Sequence, residues 1–259
     1  MSAIILDTET TGFDEPQVIS LAYTPILTSP RLFNAVGPIE RQLFKPSKPI
    51  AYGAMATHHI IEADLAAAPP WPGSWSPPLG MEYLIGHNVD FDWKAIGSPH
   101  IARICTVALA RWLWPNLDSH SLGALIYFLF PQDQARALLQ HAHEADQDVF
   151  LCALVLQHFL HAQPANSWHD LWLMSERARI PTHLSFGKYG PFSDWAKANG
   201  QKKGMPIAEL RRLDPGYLSW LLSGKCDTVN DDPYLQKALR GEPAIAFPTP
   251  PSNWGTVVA

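Results

Sequence analysis

The sequence predicts an α/β fold with a mixed sheet flanked by helices, and three observations carry that expectation. Segments of strand length come first: the apolar Ala3–Leu6, the β-branched and aromatic Gln17–Leu27, and Gln42–Lys45. Two more, Tyr83–Gly86 and Ala102–Cys105, alternate with helical patterns. The long helical patterns come last. Strands early and helices late, with some alternation, is the signature of a mixed sheet covered by helices. The 259 residues are 47% hydrophobic and 17% charged, enough apolar material for one large domain, or for one domain with a small appendage. That balance excludes a mostly disordered chain.

Taken in order, Ala3–Leu6 is a short apolar run ending at a polar cluster, as a buried strand does. Gln17–Leu27 is rich in β-branched and aromatic residues and reads as a second strand, and Gln42–Lys45 as a third. Gly53–Ile61 and Glu62–Ala68 have helical character. The stretch from Ala68 to Pro78, with five prolines and two tryptophans, is excluded from helices and central strands and reads as a loop anchored by Trp71 and Trp75. Tyr83–Gly86 and Ala102–Cys105 are strands. Thr106 is the expected cap of a helix over Val107–Trp114, stopped by Pro115, and Ser119 of one reaching Phe130, stopped by Pro131. A helical pattern from Ala135 to His161 shows a break near His141–His143, and Trp168–Leu173 is a short helix.

Charge is unevenly distributed. The net −5 divides into 8 Lys/Arg against 17 Asp/Glu over residues 1–176, 9 against 3 over 177–225, and 2 against 4 over 226–259. Bulk acidity alone argues against a nucleic-acid partner, but the basic segment can meet a phosphate backbone through Lys188, Lys197, Lys202, Lys203, Arg211 and Arg212. The tail, with Pro243, Pro248, Pro250 and Pro251, lacks an apolar period and is expected to be flexible. Cys105, Cys152 and Cys226 are an odd number at wide spacing, which is neither a disulfide framework nor a zinc pattern and fits a reducing cytoplasm. Asp7 interrupts the N-terminal apolar run before a signal-peptide core can form. No stretch approaches the roughly 18 apolar residues of a membrane span, so no membrane partner is expected.

Three elements carry chemistry. Asp7 and Glu9 flank Thr8 at the expected end of the first strand, where residues two apart face one side and can share a divalent cation. His87-Asn88-Val89-Asp90-Phe91-Asp92 follows the Tyr83–Gly86 strand and offers another carboxylate, Asp92 or its rival Asp90. His143-Glu144-Ala145-Asp146-Gln147-Asp148 opens the last long helix and offers a histidine suited to general-base work near neutrality, together with a fourth carboxylate. The pair His141 and Asp146 has the same spacing.

In this order the motifs resemble those of the DEDDh 3′–5′ exonucleases, the group of RNase T and the replicase proofreading subunit. Asp7-Thr8-Glu9-Thr10-Thr11-Gly12-Phe13 is similar to the first family motif. The second, H-N-x-x-F-D, selects Asp92 over Asp90, and the third, H-x-A-x-x-D, selects His143 with Asp148 through Ala145. Ala54–Ile60, Ile104–Arg111 and Ser119–Leu125 resemble further family segments. Phe186-Gly187-Lys188-Tyr189-Gly190 and Asp214–Leu222 resemble the small C-terminal module of the exodeoxyribonuclease X-like branch. In that module Asp214 caps a helix starting at Pro215 and ended by Gly224, with Tyr217, Trp220 and Leu221 on a face expected to fill a small core.

The resemblance implies an RNase H-like mixed sheet over residues 1–165, a small basic module over 166–240 and the Pro-rich tail over 241–259. It implies release of nucleoside 5′-monophosphates from DNA 3′ ends, single-stranded or duplex, with two divalent cations, Mg²⁺ or Mn²⁺. Asp7, Glu9, Asp92 and Asp148 would hold the metals and His143 would take a proton from water. Thr10, Thr11, Gly12, Phe13, His58, Asn88 and Phe91 would contact the substrate. It leaves open RNA as substrate, a homodimer, and a nucleic-acid-binding subunit without turnover.

Overall fold

The computed structural model describes residues 2–34, 36–200 and 203–241. Beyond Gly241, the expected flexible tail lies outside the described residues, as does Lys202.

The chain runs β1 (Ser2–Thr10), β2 (Val18–Ile26), β3 (Glu40–Leu43), α1 (Tyr52–His58), β4 (Met81–Gly86), α2 (Val89–Ala95), β5 (Ala102–Cys105), α3 (Thr106–Leu113), α4 (Leu122–Leu129), α5 (Gln132–Leu138) and α6 (Ala145–Ala162). It continues through α7 (Trp168–Ala178), α8 (Asp194–Ala198), α9 (Ile207–Leu213), α10 (Pro215–Leu221), α11 (Asp227–Asn230) and α12 (Pro233–Arg240). The sheet order is β3-β2-β1-β4-β5. β2 is antiparallel to β1 and β3, while β4 is parallel to β1 and β5, so the sheet is mixed as expected.

β1 lies at the centre because Ile4, Ile5 and Leu6 are buried on both faces. It also runs further than its apolar stretch suggests. Asp7, Thr8 and Glu9 stay paired with Ala22, Leu21 and Ser20 of β2, whereas pairing with β4 stops at Ile5 opposite Ile85. The acidic pair therefore sits inside the strand, with one strand edge open beside it. α6 packs on β1 and β2, and α2 on β1, β4 and β5. The apolar spacing of Val149, Cys152, Leu156 and Phe159 gives α6 a continuous buried stripe.

Two expected caps are corrected. Thr106 is the first residue of α3, not its cap, and its hydroxyl donates to the Gly86 carbonyl at 3.2 Å and meets His87 Nδ1 at 3.0 Å. α4 is capped by Ser121, whose Oγ accepts from Ala124 N at 3.3 Å, while Ser119 sits in the preceding turn. The break near His141–His143 is present, between the end of α5 and the start of α6. In the Pro/Trp-rich loop, Trp71 packs edge-on against Phe44 at 4.9 Å and Trp75 against Tyr23 at 5.2 Å, both half-buried.

The described residues form two compact units, one running to Ser175 and one from Glu176 to Gly241. The second has its own core, in which Leu184, Met205, Leu210, Leu221 and Leu239 are buried. Asp214 caps α10 by accepting from Tyr217 N at 2.9 Å, and Pro215 opens the helix. Trp220 departs from the expected core role: it is 44% exposed and stacks on the half-buried Tyr217. α10 ends at Leu221, with Leu222 as its C-cap, so Gly224 lies beyond the helix. Three of the expected surface cations are engaged within this unit: Lys188 with Asp214 at 2.7 Å, Lys197 with Asp194 at 3.4 Å, and Arg211 with the Leu239 carbonyl. Cys105, Cys152 and Cys226 are free and buried. Among the described residues no helix is long and apolar enough to cross a membrane.

Candidate active site

The two-residue period of β1 turns Asp7 and Glu9 to one face, and the first turn of α6 brings Asp148 to the same place. Oxygens from these three carboxylates lie within 4.8 Å of one another. Burial, then the charges of Asp92, Asp148 and Glu9, hold the Asp7 carboxyl well above the usual range. Burial and the Asp148 and Asp92 charges push Glu9 up to about 8, against a smaller opposing pull from Arg41. Burial raises Asp148 as well. Like charges this close cost free energy unless protons or cations separate them, and an all-oxygen donor set suits a hard divalent cation.

Asp92, on α2, is 4% exposed and stands outside that trio. Where β1 loses its parallel neighbour, Asp92 Oδ1 accepts from Thr8 N at 3.0 Å and from Thr8 Oγ1 at 2.7 Å. Burial still pushes it up to about 7. Its charge acts on Asp7 more strongly than that of Asp148 or Glu9. Asp90, its rival in sequence, is instead ion-paired with Arg103 of β5.

His143 lies in the turn before α6, exposed, with φ +69°. Its backbone N–H donates to Asp148 Oδ1 at 3.2 Å, and that bond, then the His143 charge, opposes the rise in the Asp148 pKa. His141 is bonded through Nδ1 to Glu144 Oε1 at 3.0 Å. Arg41 of β3 spans the same turn, reaching Glu144 Oε2 at 3.1 Å and Asp146 Oδ1 at 2.8 Å.

The register of β1 against β2 shifts between Glu9 and Thr10, an irregularity of the kind that re-aims side chains at sites. Thr10 and Thr11 are buried with their hydroxyls turned inward: Thr10 Oγ1 donates to Gly12 O at 3.1 Å, and Thr11 Oγ1 accepts from Gln17 N at 3.1 Å. Gly12 has φ +140°, which strains any residue with a side chain, and a Cβ there would also press on Ala51 Cβ at 3.1 Å. Phe13 is 93% exposed and meets Phe91 edge-on at 5.9 Å. Asn88, at the N-cap of α2 with φ +71°, makes no cap bond with its side chain. His58 is buried: Nδ1 accepts from Ile60 N at 3.0 Å, which leaves the Nε2 hydrogen for Thr10 O at 3.3 Å. Burial lowers its pKa. The His87 ring bonds Thr106 Oγ1 and the His120 carbonyl, and burial takes it down to about 4, so it is neutral near pH 7.

Sequence reasoning missed Thr8 and Arg41. Thr8 had one available signal, a hydroxyl between two acids on a buried strand. Arg41 had only its sign, as one of 8 cations among the first 176 residues.

No family model matches the chain. It is 30% identical over 222 residues to Exodeoxyribonuclease 10 of Escherichia coli (strain K12), a match covering 85% of this chain and 90% of that protein. Among solved structures it resembles Exonuclease X in complex with 5′ overhanging duplex DNA, at 26% identity and a TM-score of 0.51, over 65% of this chain and 96% of that one. The zinc-ion-bound E. coli ExoI–ssDNA complex matches at 18% identity and a TM-score of 0.51, over 70% and 45%, a likeness of fold. The mixed sheet is thus the RNase H-like sheet of exonucleases.

Proposed function

The chain belongs to the exodeoxyribonuclease 10 family of DEDDh 3′–5′ exonucleases, and from that premise we propose that it removes nucleotides from the 3′ end of DNA as 5′-monophosphates at the Asp7–Glu9–Asp148 cluster. One observation supports this reading above the rest: three carboxylates with oxygens within 4.8 Å, all raised in pKa by burial, Asp7 and Glu9 also by the charges of their neighbours.

Asp7 would serve two divalent cations, Mg²⁺ or Mn²⁺, with Glu9 and Asp148 completing one site and Asp92 contributing directly or through water. Bound there, the ions would supply a nucleophile from water at neutral pH and offset the charge that builds up on the phosphate. An imidazole nitrogen of His143 takes the proton from the attacking water. Thr8 holds Asp92 through two hydrogen bonds, fixing where that carboxylate points. With their hydroxyls and carbonyls occupied, Thr10 and Thr11 support the backbone around Gly12, which would meet the terminal nucleotide. The exposed Phe13 and its partner Phe91 offer an apolar surface to base or sugar, and the Asn88 amide is available for a polar contact. His58 acts from behind, bonding the Thr10 carbonyl. The three free cysteines fit a cytoplasmic enzyme.

The test uses 5′-labelled single-stranded and duplex DNA. With Mg²⁺ or Mn²⁺ the purified protein should shorten the label stepwise from the 3′ end, and EDTA should stop it. Asp7→Asn and Asp148→Asn should each cost more than the roughly 100-fold that loss of an outer-sphere partner brings. Near-normal rates in both variants would sink the assignment.

A further inference from the structure

We infer that Arg41 is a positioning residue for this exonuclease: from the outermost strand it clamps the turn that presents His143 to the carboxylate cluster. The inference rests on the reading of His143 as the general base.

The geometry is a three-point tether. Arg41 projects from β3, the strand at one end of the sheet order. Its Nε donates to Ser20 Oγ of β2 at 3.2 Å, which fixes the root of the guanidinium. The same group then donates through one terminal nitrogen to Glu144 Oε2 at 3.1 Å and Asp146 Oδ1 at 2.8 Å. Glu144 is the residue after His143 and the N-cap of α6, and Asp146 lies in that helix's first turn. One cation thus holds the chain just beyond the histidine. His141 bonds the other Glu144 oxygen, so that carboxylate is engaged on both sides.

The turn needs such a restraint for two reasons. His143 sits at φ +69°, a left-handed conformation that a residue with a Cβ keeps only when its surroundings enforce it. Glu144 and Asp146 are also like charges close to the metal-binding carboxylates, and without a cation between them they repel. The backbone bond from His143 N to Asp148 restrains one side of the turn, and Arg41 restrains the other.

Magnitudes separate this role from simple stabilisation. The Arg41 side chain is 29% exposed and its two partners about 40%, and ion pairs this open to water add little to global stability. A displaced general base, by contrast, is costly in rate. Removal of Arg41 should therefore appear in turnover and hardly at all in unfolding temperature.

The experiment measures steady-state cleavage of single-stranded DNA by the full chain in saturating Mg²⁺, together with thermal unfolding. Arg41→Ala should lower kcat roughly 10- to 100-fold with little change in KM, as expected for a misplaced catalytic group. The Glu144→Gln/Asp146→Asn double variant, which cuts the clamp from the other side at constant shape, should reproduce the loss, and Arg41→Lys should restore part of it. In a His143→Ala background, Arg41→Ala should have no further effect, because residues acting as one unit are not additive. If Arg41→Ala instead raises KM at unchanged kcat, or lowers kcat as much with His143 absent as with it present, the inference is overturned. If His143→Ala alone keeps normal kcat, the base assignment falls first and the inference falls with it.

Discussion

Thr8 shows how much of the proposed site rests on a side chain that is not itself one of its carboxylates. It lies between the two acids of β1, yet its hydroxyl and its N–H both go to Asp92. Burial favours the protonated form of Asp92, and the two hydrogen bonds favour the carboxylate a metal needs. Thr8→Val keeps the shape and the backbone donor but deletes the hydroxyl. Asp92 should then rise further in pKa, and the Mg²⁺ concentration giving half-maximal cleavage should increase roughly 10-fold, the usual scale for loss of an outer-sphere partner. A metal titration of activity at pH 7 measures this, and an unchanged midpoint would mean that Thr8 is ordinary packing. At this scale the sequence is read well where chemistry is periodic and poorly where it is not. Asp7 and Glu9 follow from a strand's alternation. Nothing local separates Asp92 from Asp90 without the motif, because the deciding contact is Arg103 arriving from β5.

Among elements, those with an apolar period were legible and those with competing polar partners were not. Four strands follow from short apolar or β-branched runs, and the interruption between α5 and α6 from a lapse in the helical pattern; β3, expected over Gln42–Lys45, runs instead over the polar Glu40–Leu43, which its pairing with β2 sets. Asp214 caps α10 as expected, but the two hydroxyl caps failed for one physical reason: a hydroxyl in sequence does not reveal its partner. Thr106 spends its hydroxyl on Gly86 and His87, and the cap of α4 moves from Ser119 to Ser121, whose oxygen reaches Ala124 N. The consequence is measurable in urea unfolding. Ser121→Ala should destabilise the protein by about 1 kcal/mol, the usual cost of a lost N-cap, and Ser119→Ala by markedly less. Equal losses would mean that both serines act in one turn rather than that one of them caps. The small second unit was less legible still. Its Tyr217, Trp220 and Leu221 read as one buried face, but only Leu221 is fully buried, because a seven-residue helix cannot cover all three.

For the molecule as a whole, the net charge of −5 conceals a device that couples folding to metal and pH. Four of its carboxylates are held high in the metal-free fold, Glu9 at about 8 and Asp92 at about 7. An acid whose pKa is higher folded than unfolded binds more protons in the folded state between the two values, so stability falls as pH rises through that window. For Glu9 the window opens near the ordinary glutamate pKa of about 4.3 and closes near 8. His87 works the other way: held down to about 4, it makes stability rise with pH until about 6.5, where unfolded histidine has lost its proton. Above about pH 6.5 the histidine contribution has ended and the carboxylates act unopposed, and a comparison with Glu9→Gln cancels the histidine contribution at every pH. Metal-free Glu9→Gln should unfold at a higher temperature than the unaltered protein at pH 8 and at nearly the same temperature at pH 4.5. Divalent cations bind the ionised carboxylates of the folded state alone, so the rise in Tm given by Mn²⁺ should be larger at pH 8 than at pH 5. For a chain of this size each kcal/mol of binding should appear as about 2–4 °C. Glu9→Gln should lose most of that rise, having given up a ligand along with the repulsion. Scanning calorimetry with EDTA or Mn²⁺ at pH 4.5, 5, 6.5 and 8 measures all of these shifts. A Mn²⁺ effect equal at pH 5 and pH 8, or a Glu9→Gln protein less stable than the unaltered one at pH 8 without metal, would show that this cluster is not held together against its own charge.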